Sequence, residues 1–252
     1  AGVTGSLASG LIANRYGYPS VFYVIAVLMF CAAISAFFAA QKNDSDNLFP
    51  NASAISFFQI FKRYKLKGAF LFAIGTMGAT GTLASFLPTR AEAIGMNHAQ
   101  TGMLFATFAL SAIVIQMLWP AAIKPNLSND HQSCKFGMLL LGFSLISTAI
   151  AATSPWLFFA LALFGIGFGL SFQGMLHLVI KGSQLEWRGR AIGLFFATYS
   201  LGVALVPPIS GLVWQLLPVV SPFYLVAAIT IACMVAGCGQ CNRFECSSEL
   251  TD

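Results

Sequence analysis

Charge is what this sequence has least of. Asp, Glu, Lys and Arg make up 8% of its 252 residues, 8 acidic and 13 basic, where a soluble domain carries about 25%. So few charges cannot coat a water-facing surface, which excludes a soluble enzyme, a disordered chain and a nucleic-acid-binding domain. The net charge of +5 does not bring a nucleic-acid partner back, because membrane proteins collect Lys and Arg in cytoplasmic loops. Catalytic patterns are also missing: no Ser/His/Asp set and no paired carboxylates stand out, so the chain is not expected to be an enzyme. Of the six cysteines, Cys31 and Cys233 fall inside apolar runs and read as small hydrophobes. Cys238-Gly239-Gln240-Cys241 with Cys246 supplies only one arm of a zinc-like spacing. No metal and no cofactor are expected.

What the chain does have is apolar length. Its mean hydropathy is +0.80. Residues 19–40, 68–89, 99–123, 136–180 and 191–242 contain no Asp, Glu, Lys or Arg. A membrane-crossing helix needs about 20 apolar residues, so the first three runs are one span each. The fourth is twice that length and breaks at Thr153-Ser154-Pro155, where proline cannot continue a helix. The fifth breaks between Leu217 and Pro222. Seven full spans result. Residues 1–13 are apolar and uncharged but too short to cross, and read as the second half of a span. The expected fold class is an all-α polytopic membrane protein, since helices satisfy their own backbone in lipid.

Counting the partial span as the first, one membrane side holds Lys42, Lys62, Arg63, Lys65, Lys67, Lys124, Lys135, Lys181, Arg188, Arg190 and Arg243, while the other holds only Arg15 and Arg90. The positive-inside rule makes the first side, and the carboxy-terminus, cytoplasmic. Within the connection 41–67, Phe57, Ile60, Phe61 and Tyr64 recur at helical spacing beside Lys62, Arg63, Lys65 and Lys67. That pattern predicts an amphipathic helix over 55–67 in the cytoplasmic interface.

A repeat organises the whole. Ser9-Gly10-Leu11 and Phe22-Tyr23-Val24 are echoed by Ser210-Gly211-Leu212 and Phe223-Tyr224-Leu225, at an offset of 201 in both blocks. The first two spans thus correspond to the last two, as in transporters built from parallel repeats. The repeat length implies six spans per half, with 41–67 as the link. The resulting organisation is 1–40, the end of an amino-terminal bundle (partial span 1–13, span 19–40); 41–67, a cytoplasmic linker; 68–240, a carboxy-terminal six-helix bundle; and 241–252, a cytoplasmic tail.

With these features the chain resembles the major facilitator superfamily of secondary transporters, over its full length as helices five to twelve. Gly5-Ser6-Leu7-Ala8-Ser9-Gly10 falls on the family's Gly-Pro-x-x-Gly-Gly pattern, with Ser6 for Pro and Ser9 for Gly. Asn14-Arg15-Tyr16-Gly17-Tyr18 falls on the turn that follows. Trp187-Arg188-Gly189-Arg190-Ala191-Ile192-Gly193, then Gly202 and Pro207-Pro208-Ile209-Ser210-Gly211, is similar to the eleventh helix. Gly5, Gly10, Gly202, Pro207, Pro208 and Gly211 are the packing or gating positions this implies. The loop from Lys124 to His131 departs from the family's Gly-x-x-x-Asp-Arg pattern, which argues against a gate latch there.

The resemblance implies a secondary active transporter. It would move a small solute by alternating access, coupled to protons or sodium, in the bilayer of a plasma (inner) membrane, and would be present here without its amino-terminal half. It also implies that the third and sixth spans line the cavity. Candidates are then Thr76, Met77, Thr80 and Ser85 on the third, and Phe168, Ser171, Phe172, Gln173 and His177 on the sixth. His177 is the one titratable residue within a span that could carry a proton; a hydrogen-bonded helix-end histidine is the plainer reading. Arg90 and Glu92 read as loop charges. The competing functions are a non-transporting membrane fragment and a receptor-like or scaffold membrane protein. A seven-helix receptor fits the span count but not the repeat.

Overall fold

The computed structural model describes residue 12 and residues 18–41, 64–122, 127–216 and 221–248. Seven α-helices run through them: α1 Tyr18–Gln41, α2 Tyr64–Ala93, α3 His98–Ala122, α4 Leu127–Ile150, α5 Ser154–Gly182, α6 Arg188–Leu216 and α7 Pro222–Ser248. A 3-10 turn, Leu185–Trp187, precedes α6. No strand occurs among the described residues, and the chain is an all-α polytopic membrane protein. The partial span 1–13, apart from Ile12, lies outside the described residues, as do Gly5, Gly10, the turn 13–17, residues 42–63 of the linker and residues 249–252.

Local chemistry sets the helix boundaries. Thr153 is extended (φ −133°, ψ 150°) and Pro155 sits in the first turn of α5, where a missing N–H costs nothing. Between α2 and α3 the chain turns through Gly95 at φ +83°, a conformation glycine adopts without a Cβ penalty. Asn97 and Gln100 then bond reciprocally, Gln100 N to Asn97 Oδ1 at 2.8 Å and Asn97 N to Gln100 Oε1 at 2.9 Å. This is a capping box at the start of α3. Two boundaries differ from expectation. Tyr64–Lys67, expected to end a separate interfacial helix, form the first turn of α2, because no residue there interrupts a helix. Likewise α7 runs on to Ser248, with no proline to stop it.

Among the described residues, five helical segments are long and apolar enough to cross a membrane: Lys67–Ala93, His98–Leu118, Asp130–Ile150, Ser154–Gly182 and Arg188–Leu216. Tyr23–Ser35 and Pro222–Cys238 are shorter apolar helices by the same criterion, where a full span was expected of each; only their described apolar cores count. Large apolar side chains line the outside, including Met117, Phe143 and Leu205. Such a surface suits lipid rather than water.

Helices α2 to α7 pack together, whereas α1 touches none of the other described helices. The bundle has a regular plan. α2 packs on α6 and α7, and α5 packs on α3 and α4. The first helix of each three-helix set therefore grips the second and third of the other. α2 and α5 touch at the centre, α4 and α7 pair, and α3 and α6 do not meet. Small residues permit these approaches. A Cβ on Gly137 of α4 would lie 2.6 Å from the Gly167 carbonyl of α5, and one on Gly202 of α6 would lie 2.8 Å from the Ile74 carbonyl of α2.

Candidate functional site

The two central helices carry the sequence candidates, but on different faces. On α2, Thr76 is fully buried and its hydroxyl has no hydrogen-bond partner. Met77 is buried beside Gly202, in the α2–α6 contact. Thr80 and Ser85 are more accessible, and each donates one turn back along the helix, to Thr76 O and Gly81 O at 2.9 Å.

α5 divides its five candidates three ways. Ser171 is fully buried against Gly137 of α4. Gln173 turns toward α3, its Nε2 donating to Gln116 O at 2.7 Å. His177 turns toward α4, with Nδ1 3.2 Å from Asp130 Oδ1. Only Phe168 and Phe172, one turn apart, share a face, and their rings stack at 6.0 Å with an interplanar angle of 11°. Phe168, Ser171, Phe172, Gln173 and His177 therefore do not share one face of α5. Successive helical positions turn by about 100°, and packing against α3 and α4 draws the polar candidates away from the two rings.

The Phe168–Phe172 face continues onto the neighbouring helices. Phe108 of α3 meets Phe168 edge-on at 5.5 Å, and Tyr199 of α6 meets Phe172 edge-on at 6.0 Å. The series is rooted in the core at both ends, by Phe164 against Phe108 and by Phe195 against Tyr199. Separately, a groove of about 380 Å³ opens between α3 and α5, lined by Thr107, Leu110, Ser111, Val114, Ile115 and Ile166. Both its hydroxyls already donate to helix carbonyls.

Two polar clusters at opposite ends escaped sequence reading. Asp130, in the first turn of α4, is 5% exposed. Its carboxylate accepts from Lys181 Nζ at 2.6 Å and faces His177 Nδ1 at 3.2 Å. The loop that departs from the family pattern thus still supplies a buried acid tied to α5. The one available signal was that Asp130 is the sole acid between Glu92 and Glu186. At the other end, Arg90 is no loop charge: its Nη2 donates to Ala149 O at 2.9 Å and to Ala151 O at 2.8 Å. It caps the carboxy-terminal end of α4, where carbonyls lack helical donors.

The family model of the Major Facilitator Superfamily matches this chain over residues 1–184 and again over 69–239. The chain belongs to the major facilitator superfamily. An uncharacterized MFS-type transporter of Methanocaldococcus jannaschii is 20% identical over 204 residues, covering 79% of this chain and 52% of the relative. The chain thus spans about half the length of the curated relative it matches. With five helices of spanning length, this superfamily member is an integral, multi-pass membrane protein.

Of the positions that the resemblance implied for packing or gating, Gly202, Pro207, Pro208 and Gly211 lie on α6. Pro207 and Pro208 sit inside the helix, where each removes a backbone donor. Ser210 Oγ donates to Pro207 O at 2.8 Å. Pro207 fits where α2 has Gly81, whose Cβ would lie 2.9 Å from the proline Cγ. Gly211 faces Phe86 more loosely, at 3.4 Å from a Cβ. Gly202, Pro207 and Gly211 thus serve the α2–α6 contact, while Pro208 is exposed. Among the described residues no group of His, Cys, Asp and Glu is placed to hold a metal; the side chains of Cys241 and Cys246 lie outside them.

Proposed function

We propose that this chain is the carboxy-terminal part of a secondary active transporter that moves a small solute by alternating access. The supporting observation is the superfamily match across most of the chain, together with a bundle in which α2 and α5 meet at the centre. In this reading residues 68–240 are one repeat, residues 1–40 belong to the absent amino-terminal repeat, and 41–67 links them on the cytoplasmic side. Alternating access needs a site enclosed between two repeats, so the chain does not transport alone. The site faces the missing half across α2 and α5, near Thr80, Phe168 and Phe172. The protein sits in the plasma (inner) membrane with its carboxy-terminus in the cytoplasm. A proton or sodium gradient drives it, through groups supplied largely by the other half.

Purified chain, and a longer chain carrying the upstream half, would be reconstituted in liposomes and assayed with a library of labelled solutes under imposed proton and sodium gradients. Saturable uptake by the longer chain only is the expected result. Uptake by the 252-residue chain alone would remove the half-transporter reading, and no uptake by a folded longer chain would remove transport.

A further inference from the structure

The polar and charged groups of these helices are largely committed to the fold, and the rings at its centre are not. Phe108, Phe168, Phe172 and Tyr199 are each only half-buried, although Phe164 and Phe195, which root the series, are fully buried. α3 and α6 do not touch, so the two stacked rings of α5 bridge the space between them. The result is a continuous aromatic surface, three helices wide, whose ring faces are held in place before anything binds. Phe196, 43% exposed, widens it beside Tyr199 at 5.9 Å. Its polar handle is the Tyr199 hydroxyl, which makes no hydrogen bond to a described residue.

We propose that this surface binds the solute and that it takes an uncharged, planar aromatic molecule. The proposal rests on the transport reading and names its substrate class. Stacked and edge-on rings favour another ring, and ligand sites are commonly apolar with a few placed polar groups. On the face that this chain contributes, charge is disfavoured by what those helices lack and by what is already engaged. Residues 99–123, 136–180 and 191–216 hold no Asp, Glu, Lys or Arg. Asp130, the acid of α4, already faces Lys181 and His177. Arg90 is bound to two backbone carbonyls. An anion would find no cation within those three segments. A cation would gain attraction from the ring faces but would be buried without a carboxylate, which that attraction does not offset.

The indole series holds the ring constant and varies the charge. The chain in lipid nanodiscs would be dialysed against labelled indole, with empty nanodiscs as the blank and unlabelled indole, tryptamine and indole-3-acetate as competitors. Saturable indole binding is expected, with each charged analogue weaker by about tenfold or more. Phe172→Ala should weaken indole by about tenfold, the scale of one aromatic contact. Phe172→Leu keeps an apolar side chain without the ring and should weaken it too, which covers the case where the alanine variant misfolds. Phe143→Ala, on an exposed position of α4, should leave binding unchanged. Binding no greater than the blank overturns the proposal. So does equal binding of a charged analogue, or an equal loss in Phe143→Ala, which would mark simple partition into lipid and lipid-facing grooves. Uptake of other solutes by the longer chain without indole binding would defeat this assignment alone. Indole binding without uptake of any solute would defeat the transport reading and leave the surface standing.

Discussion

The two ends of the bundle solve the same problem with opposite chemistry. At the end carrying Arg90, a cation of α2 is satisfied by backbone carbonyls at the carboxy-terminal end of α4. At the end carrying Asp130, a buried acid of α4 is satisfied by two side chains of α5. Each joins α4 to one of the two central helices, so the pair fixes how α4 sits against α2 and α5. The difference lies in what can be exchanged. Backbone carbonyls do not change with a side-chain substitution, so the Arg90 end tolerates only another long donor. The Asp130 end is built wholly from side chains, so its charges can be moved between partners.

The largest effect is expected from Asp130→Ala, which strands Lys181 and His177 against a buried site. Breaking a buried pair costs about 3–5 kcal/mol, reduced here to about 2 kcal/mol because both bases are roughly one-third exposed. Thermal unfolding of purified chain in detergent would show it as a lower midpoint. Arg90→Met should cost about 1.5–2 kcal/mol, since two charge-assisted bonds are lost but the carbonyls can find water at the helix end. Arg90→Lys should recover about half of that loss, by the same measurement. The exchange test separates the ends most cleanly. The double variant Asp130→Lys with Lys181→Asp should be more stable than the sum of the single variants by about 0.5–1.5 kcal/mol, within the range found for contacting pairs. Additive losses would show that the two groups do not interact. The smallest effect belongs to His177→Gln, at about 0.5–1 kcal/mol, because an amide donor can still reach Asp130.

Much of the fold was legible because its signals are local. The break at Thr153-Ser154-Pro155 is realised as α4 ending at Ile150 and α5 starting at Ser154, and the break before Pro222 as the start of α7. A proline acts on its own helix and needs no distant partner. The candidate site was legible only in part. Phe168 and Phe172 lie one turn apart and had to share a face, but nothing local said that Phe108 would extend it. Ser171, Gln173 and His177 were grouped with the rings because the resemblance implied that their span lines the cavity. In the fold each turns to a different neighbour.

Composition and the spacing of breakers decided, from the sequence alone, that this chain is a set of apolar helices in a membrane and where most of them begin and end. The tertiary structure decided how each helix is rotated about its axis. Helices that are apolar on every side carry no stripe telling inside from outside. Their rotation is set by close backbone approach at Gly137, Gly167 and Gly202 and by bonds such as Lys181 to Asp130, which are 51 residues apart in sequence. That rotation, and not the residue types, brought the four rings together and turned Lys181 and His177 toward Asp130.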